Sequence, residues 1–113
     1  MRFCQLSADD EAEATSDAAF SGAPAPGLYR HTDGGYYRVT GMARDSRDTE
    51  PVVLYDHVWP FEARTWTRPL HEWASRFTPV PAAELAQVQQ GDRAALQARI
   101  RAARAARKGQ APA

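Results

Sequence analysis

Cysteine, long apolar runs and net charge are what this sequence has least of. The single Cys4 excludes an intramolecular disulfide and a cysteine-rich zinc site. No apolar run approaches the ~18 residues that a membrane-spanning helix needs, and acidic residues stand where a secretory signal would have a basic start. Lys and Arg together number 14, as do Asp and Glu, so the formal net charge is zero. We expect a cytoplasmic protein with no membrane segment and, at 113 residues, a single domain.

The charges are unevenly distributed along the chain, although their sum is zero. Residues 1–25 hold five acids and one base, whereas residues 91–113 hold six bases and one acid. Residues 1–25 also contain few large apolar side chains. Such a segment cannot bury enough surface to offset the entropy lost on ordering it. We therefore predict a disordered acidic tail over residues 1–25.

Residues 26–80 have the composition of a small β domain. Nine of the eleven aromatic residues lie between Gly27 and Val80, and short runs of strand formers alternate with turn signals. The predicted strands are Leu28–His31, Tyr36–Ala43, Val52–Val58, Arg64–Thr67 and a closing Phe77–Val80, with one or two helical turns in Leu70–Phe77. Because so small a sheet needs closure to hide its edges, we predict a mainly β fold with an SH3-like β-barrel core.

Strict alternation along the second predicted strand separates an inner from an outer face. The inward set is Tyr37, Val39, Gly41 and Ala43, and the outward set is Tyr36, Arg38, Thr40, Met42 and Arg44. So short a domain buries enough surface only with large rings. Tyr37, Tyr55 and Trp66 are therefore placed in the core.

Residues 81–113 predict a helical extension that is rich in Ala and Arg. Pro81 suits its start, Gly109 its end, and Gly91 an interruption after which Asp92 caps the second half. At about 100° per residue, one face of this helix collects Arg93, Arg101, Arg104, Arg107 and Lys108. This basic face is interpreted in three ways: as a solvated surface, as an arm that follows phosphates, or as a partner of the acidic tail.

Four sequence motifs stand in order in the middle of the chain. They are Gly27-Leu28-Tyr29-Arg30-His31, Tyr37-Arg38-Val39-Thr40-Gly41-Met42-Ala43, Glu50-Pro51-Val52-Val53-Leu54-Tyr55 and Trp66-Thr67-Arg68-Pro69. In order and spacing they resemble the bacterial family called domain of unknown function 1653, over about residues 27–73. The resemblance implies a small, mostly β domain and brings no activity with it.

Sequence motifs for catalysis and for metal binding are missing. The three histidines lie far apart, without the spacing of zinc ligands. Cys4 has no neighbouring group to lower its pKa, and Ser46 lies outside a Gly-x-Ser-x-Gly elbow. The carboxylates of Asp45, Asp48 and Glu50 cluster in one loop, which is typical of a solvated turn. We predict a non-catalytic protein with no metal and no cofactor.

Arginines beside rings are the strongest binding signal in the sequence. Arg30 stands between Tyr29 and His31, and Arg68 follows Trp66 by two residues. Such an arginine can present its planar fork to a phosphate or stack on a base, or it can pair with a carboxylate such as Glu50. The candidate ligand-binding residues are Tyr29, Arg30, His31, Tyr36, Arg38, Arg44, Trp66 and Arg68, extended on the basic helix by Arg101, Arg104, Arg107 and Lys108.

Two functions fit these candidates. The first is binding of RNA or single-stranded nucleic acid, because single-strand binders combine aromatic rings with a positively charged groove. The alternative is a protein- or peptide-interaction module in which Tyr36, Trp59 and Phe61 form an exposed apolar groove. The sequence decides neither the oligomeric state nor whether the helical extension docks on the β domain.

Overall fold

The computed structural model describes residues 20–109. Within this range the chain forms five strands and then two α-helices. The strands are β1 (Gly27–His31), β2 (Tyr36–Arg44), β3 (Pro51–Trp59), β4 (Thr65–Pro69) and β5 (Phe77–Pro79), and the helices are α1 (Ala82–Val88) and α2 (Arg93–Gly109). A short 3-10 turn, Leu70–Glu72, lies between β4 and β5. The predicted order of elements is confirmed, whereas residues 1–19 of the predicted tail lie outside the described residues.

The strands form one antiparallel sheet in the order β4-β3-β2-β1-β5. The β1–β2 hairpin turns through Gly34, whose φ of 106° is one that residues with a side chain rarely adopt. Over residues 20–109, β4 and β5 end the sheet without pairing with each other. A mainly β domain is therefore observed, but closure of the sheet into a barrel is not confirmed.

A β-bulge at Thr40 changes the faces of β2. Val39 pairs with Tyr55 and Gly41 pairs with Leu54, so Thr40 is an extra residue opposite β3. One extra residue reverses the alternation that follows it. Met42 consequently pairs with the fully buried Val53 and packs against the core. The prediction that Met42 points outward is wrong for this reason.

Aromatic rings fill the core on the inner face of the sheet. Its buried members are Tyr29, Tyr37, Val39, Val53, Tyr55, Trp73 and Phe77. Trp73 stacks on Phe77 with ring centroids 3.8 Å apart and planes 3° apart, and the rings of Tyr29 and Tyr55 meet Trp73 edge-on at 5.4 and 5.1 Å. The predicted burial of Tyr37 and Tyr55 is confirmed.

Trp66 lies outside this core, although the sequence places it inside. Its side chain belongs to the edge strand β4 and its residue is 47% exposed. Trp66 pairs with Tyr55 across the strands, but the ring that packs on Tyr55 from the far side is Trp73, which follows the 3-10 turn. The core position predicted for Trp66 is thus filled by Trp73.

Helix α2 docks on the β1–β2 hairpin. Asp92 caps it as predicted, accepting a hydrogen bond of 3.0 Å from the Ala95 N–H at Oδ1. Ile100 is completely buried, and a Cβ atom built on Gly34 would lie 3.5 Å from Leu96 Cδ1. The helix is therefore part of the folded domain. None of the helices described is long and apolar enough to cross a membrane.

Candidate functional site: an arginine cleft

A cleft of about 740 Å³ lies between the inner face of the sheet and helix α2. Rings from the sheet, including Tyr37, Tyr55 and Phe77, form one side. Helix α2 supplies Gln97 and basic side chains on the other. We call this space the arginine cleft.

Arginine sets the charge of the cleft. In the described part of the chain its lining contains six arginines and two carboxylates, those of Asp33 and Glu62. The arginines are Arg64, Arg68, Arg93, Arg101, Arg104 and Arg107. With the histidines neutral, the lining has a formal excess of four positive charges. A concave site with one dominant sign of charge concentrates its field on ligands of the opposite sign.

Asp33 anchors the helix side of the cleft to the hairpin. Its carboxylate is 2% exposed, and its Oδ2 lies 3.4 Å from Arg104 Nε. Burial alone would raise the pKa of Asp33. Hydrogen bonds from the His31 ring and the Gly35 N–H, together with the positive charge of Arg104, outweigh burial and lower the pKa to about 2. The ionised Asp33 therefore holds Arg104, which also donates a 3.3 Å hydrogen bond from Nη2 to Tyr37 Oη.

His57 lines the cleft as a neutral ring. Burial is the main cause that lowers its pKa to about 4, and the charge of Arg104 adds to the effect. Its Nε2 accepts a 2.9 Å hydrogen bond from the Phe61 N–H, which ties together the turn after β3. A ring that is buried, uncharged and bonded to the backbone serves structure at neutral pH.

Arginines of α2 lie over two aromatic rings at the end of β3 and in the turn that follows it. The guanidinium carbons of Arg101 and Arg104 lie 5.1 and 5.2 Å from the centre of the Phe61 ring, and that of Arg93 lies 4.9 Å from Trp59. Tyr36 is 4% exposed. The exposed apolar groove predicted from Tyr36, Trp59 and Phe61 is therefore not present as an open surface.

Three side chains along β4 differ in how firmly they are held. Arg68 Nη1 donates a 3.2 Å hydrogen bond to Glu72 Oε1, its guanidinium carbon lies 5.5 Å from the Phe77 ring, and its buried Nε lacks a partner among the described residues. Over the same residues, the Arg64 side chain makes no hydrogen bond, ion pair or ring contact. Trp66 is half exposed. This stretch therefore offers two donors and an open ring at the cleft.

Half of the residues that the sequence singles out meet at this cleft. They are His31, Trp66, Arg68, Arg101, Arg104 and Arg107. The others lie outside its lining: Tyr29, Arg30, Tyr36, Arg38, Arg44 and Lys108.

The outlying candidates have other surroundings. Arg30 pairs with Glu84 of α1, and Tyr36 donates a 2.7 Å hydrogen bond to the same carboxylate oxygen. Hydrogen bonds from Tyr36 and Arg30 lower the pKa of Glu84. Tyr29 is buried, with its hydroxyl bonded to the Ala25 carbonyl at 2.8 Å. These contacts join the strands to α1 and to the segment before β1.

The remaining outlying candidates are more exposed. Arg38 and Lys108 are exposed, and Arg44 donates a 2.9 Å hydrogen bond to the Thr49 carbonyl. The carboxylates that pair with Arg30 and Arg68 are Glu84 and Glu72, so Glu50, the example suggested by the sequence, is not their partner.

Sequence reasoning missed Arg64 and Asp33 as cleft residues and left Arg93 outside its candidate set. Arg64 has a detectable signal, because it precedes Trp66 by two residues and so shares its face of a strand. Asp33 has none, since Asp-Gly-Gly predicts a turn whether or not a helix packs on it. Within residues 20–109, no three His, Cys, Asp or Glu side chains lie close enough to hold a metal ion.

Comparison with known proteins identifies the family. None of the curated proteins compared matches the chain. The model of a family described as a protein of unknown function, DUF1653, matches residues 27–80. A crystal structure of a DUF1653 protein from Bordetella bronchiseptica shares 30% sequence identity, over 50% of this chain and 81% of that one, with a TM-score of 0.41. This chain belongs to the DUF1653 family.

The DUF1653 segment supplies only one side of the arginine cleft. Residues 27–80 contain the whole sheet and the β4 residues Arg64, Trp66 and Arg68. Helices α1 and α2 follow that segment, so the α2 arginines come from outside the matched region. The resemblance to this family that the four motifs indicate is therefore confirmed. The family model matches to Val80, beyond residue 73, where the resemblance in the motifs ends.

Proposed function

We propose that this protein is a non-catalytic module that binds single-stranded RNA in the arginine cleft. The observation that carries the proposal is the pairing of a positively charged cleft with the half-exposed Trp66 in its lining. Single-strand binders combine a basic groove for the phosphates with aromatic faces on which bases stack. Unpaired RNA bases are free to stack in this way.

The cleft contains both a fixed arginine and arginines with free side chains, and this combination suits the proposed ligand. Arg104 is fixed by Asp33 and Tyr37 and shapes the site. The side chains of Arg64 and Arg107 make no hydrogen bond or ion pair over residues 20–109, so their donors are available to phosphate oxygens. Arginine is well matched to phosphate because its planar fork donates two parallel hydrogen bonds.

Two titratable groups in the cleft, His57 and Asp33, favour a binding role over a catalytic one. His57 is neutral and bonded to the backbone of its own turn, and Asp33 is ionised and paired with Arg104. Acid–base catalysis calls for a group whose pKa lies near the working pH. The pKa values of about 4 for His57 and about 2 for Asp33 lie well below neutrality.

We also propose that the sheet is an SH3-like barrel core left open between β4 and β5. The strand order, with the two outermost strands following the three central ones in sequence, supports it. So does the bulge at Thr40, because bulges bend strands where small barrels turn. A solution structure in which β4 and β5 diverge on a flat sheet would contradict this description.

The test of binding is fluorescence anisotropy of a labelled decauridylate at increasing salt. The double variant R101A/R107A should weaken binding by about tenfold or more, since two charged contacts are lost. R99A/K108A is the matched control, because Arg99 and Lys108 are exposed on the same helix but lie outside the cleft lining. We expect log affinity to fall linearly with log salt, by roughly 0.7 for each phosphate contacted.

Two outcomes would contradict the proposal. One is no binding at low salt, and the other is equal loss in R101A/R107A and R99A/K108A, which would mean generic attraction to a basic helix. The alternative, a protein- or peptide-interaction module, is separated in the same assay by an oligoglutamate competitor. Release of the RNA at equal competitor charge would favour an acidic peptide as ligand.

A further inference from the structure

The edge strand β4 presents an arginine, a tryptophan and an arginine on one face. The sequence is Arg64-Thr65-Trp66-Thr67-Arg68, and Arg64, Trp66 and Arg68 all line the arginine cleft. Arg64 precedes the strand but continues its ladder, because its carbonyl accepts a 2.8 Å hydrogen bond from the His57 N–H. Alternate residues of a strand point to the same face, so these three side chains are neighbours.

The intervening threonines belong to the opposite face. Thr65 Oγ1 donates a 2.7 Å hydrogen bond to Asp56 Oδ1, and Thr65 is absent from the cleft lining. In the strand register Asp56 stands opposite Arg38 of the neighbouring strand β2, and Arg38 is likewise outside the cleft lining. The two faces of β4 are therefore chemically distinct, with the cations and the ring on the cleft side.

The three cleft-facing side chains of β4 have unused binding capacity. The Arg64 side chain is exposed and makes no hydrogen bond or ion pair in the described chain, and Trp66 is 47% exposed. Arg68 has a buried Nε without a partner among residues 20–109. The Arg68 side chain as a whole is 23% exposed, so a ligand in the cleft can reach the outer part of its guanidinium group.

The spacing of these side chains matches one nucleotide within a strand. Residues two apart in a strand are separated by about 6.6 Å, so the backbone of an arginine stands at that distance on either side of the Trp66 backbone. An internal nucleotide likewise has one base flanked by a phosphate on its 5′ side and another on its 3′ side. Arginine side chains are long and flexible enough to close on both phosphates.

Building on the proposed function, we propose that β4 binds one internal nucleotide, with the base stacked on Trp66 and the flanking phosphates held by Arg64 and Arg68. The ligand class is a nucleotide phosphorylated at both its 5′ and 3′ oxygens. A nucleoside with both phosphates on the 5′ oxygen places all its charge on one side of the base. It therefore engages only one of the two arginines.

The test is a pair of NMR titrations with uridine 3′,5′-bisphosphate and uridine 5′-diphosphate. The two probes share the base and the number of phosphates and differ in where the phosphates stand. We expect the bisphosphate to shift the indole N–H signal of Trp66 and to bind about tenfold more tightly, as one additional charge-assisted contact implies. R64A should reduce the bisphosphate to the affinity of the diphosphate, and R99A should leave it unchanged.

Each outcome decides between the two proposals. Equal or tighter binding of the diphosphate, or no shift at Trp66 with either probe, would overturn the one-nucleotide site on β4. If decauridylate still binds and depends on Arg101 and Arg107, RNA binding by the cleft survives that result. If decauridylate does not bind, the proposed function itself fails. W66A, a change at a half-exposed position, should remove the base contact while far-UV circular dichroism confirms an intact fold.

Discussion

At the scale of single residues, the choice of arginine over lysine is the clearest feature of this protein. Lys108 is the only lysine in the sequence, beside 13 arginines. Arginine stacks flat on rings and donates several hydrogen bonds in one plane, which an ammonium group cannot do. Arg104 uses both abilities, on Phe61 and on Asp33 with Tyr37. At such a position a lysine preserves the positive charge but does not reproduce the contacts of the arginine.

We predict that R104K destabilises the fold although it preserves the charge. The lysine loses the stacking on Phe61 and at least one hydrogen bond, for a combined cost of about 1–2 kcal/mol in the free energy of unfolding. Urea denaturation of R104K and of the control R99K measures it. The Arg99 side chain is exposed and makes no hydrogen bond or ion pair over residues 20–109, so R99K should match the parent. Equal stability of all three proteins would contradict the stacking argument.

His57 makes the fold sensitive to mild acid. Its pKa is lowered from 6.5 to about 4, so between these values the unfolded chain binds more protons than the folded one. Stability is therefore lost as the pH falls from 6.5 toward 4, by about 2 kcal/mol at pH 5. The low pKa of Asp33 acts in a separate range, because its contribution is lost only as the pH falls below about 3.8 toward 2.

Urea denaturation at pH 7 and pH 5 tests the assignment to His57. H57Q should be less stable at pH 7, since it disturbs the bond to Phe61, but its stability should change little between the two pH values. H71Q should keep the pH dependence of the parent, because the His71 side chain is 76% exposed. A pH dependence that survives in H57Q would assign the effect to other groups.

At the scale of elements, the sequence predicts what each segment is better than what it packs against. All five strands and the break between the helices follow from local pattern, and so does the Asp92 cap. The bulge at Thr40 does not, because an extra residue is defined only by the strand beside it. The exchange of Trp66 for Trp73 in the core has the same origin. The sequence predicts cleft residues that lie on one face of a single element, as on α2. It does not predict those that enter the cleft only because two elements pack together.

Substitution of Gly34 tests whether the contact between the hairpin and α2 stabilises the fold. Its φ of 106° disfavours any side chain, and Leu96 lies close to where a Cβ would stand. We predict that G34A lowers the free energy of unfolding by more than about 1 kcal/mol. G41A is the control in strand β2 of the same hairpin, because Gly41 has no positive φ and no atom within 4 Å of its Cβ position. Thermal or urea unfolding that ranks G41A below G34A would contradict this account.

At the scale of the whole molecule, the neutral net charge conceals a strong separation of sign. The arginine cleft has an excess of four positive charges in its lining, whereas residues 1–25 have an excess of four negative charges. The total charge of the chain therefore says little about the ligand it attracts, because exposed charges act over about 10 Å at moderate salt. A formal net charge of zero is therefore compatible with nucleic-acid binding, because the local distribution of charge decides which ligand is attracted.

Neutralising the acids near the N-terminus should strengthen RNA binding at low salt. The variant D9N/D10N/E11Q/E13Q changes the formal net charge from zero to +4 and leaves unchanged the residues among 20–109 that line the cleft. We expect a higher affinity for decauridylate that converges on the parent value near 1 M salt, where the screening length is about 3 Å. Anisotropy at both salt concentrations measures it. A difference that persists at high salt would indicate direct contact rather than long-range charge.

The packing of Trp73 on Phe77, with Tyr29 and Tyr55 edge-on against it, has an optical consequence. Rings fixed at 3.8 to 5.4 Å in a chiral arrangement produce strong near-ultraviolet circular dichroism, which vanishes when side-chain packing is lost. At such distances light absorbed by the two tyrosines is passed to the tryptophan and emitted there. Tyrosine emission therefore rises when the sheet opens. The ratio of tyrosine to tryptophan fluorescence therefore measures whether the core is packed, without any attached label.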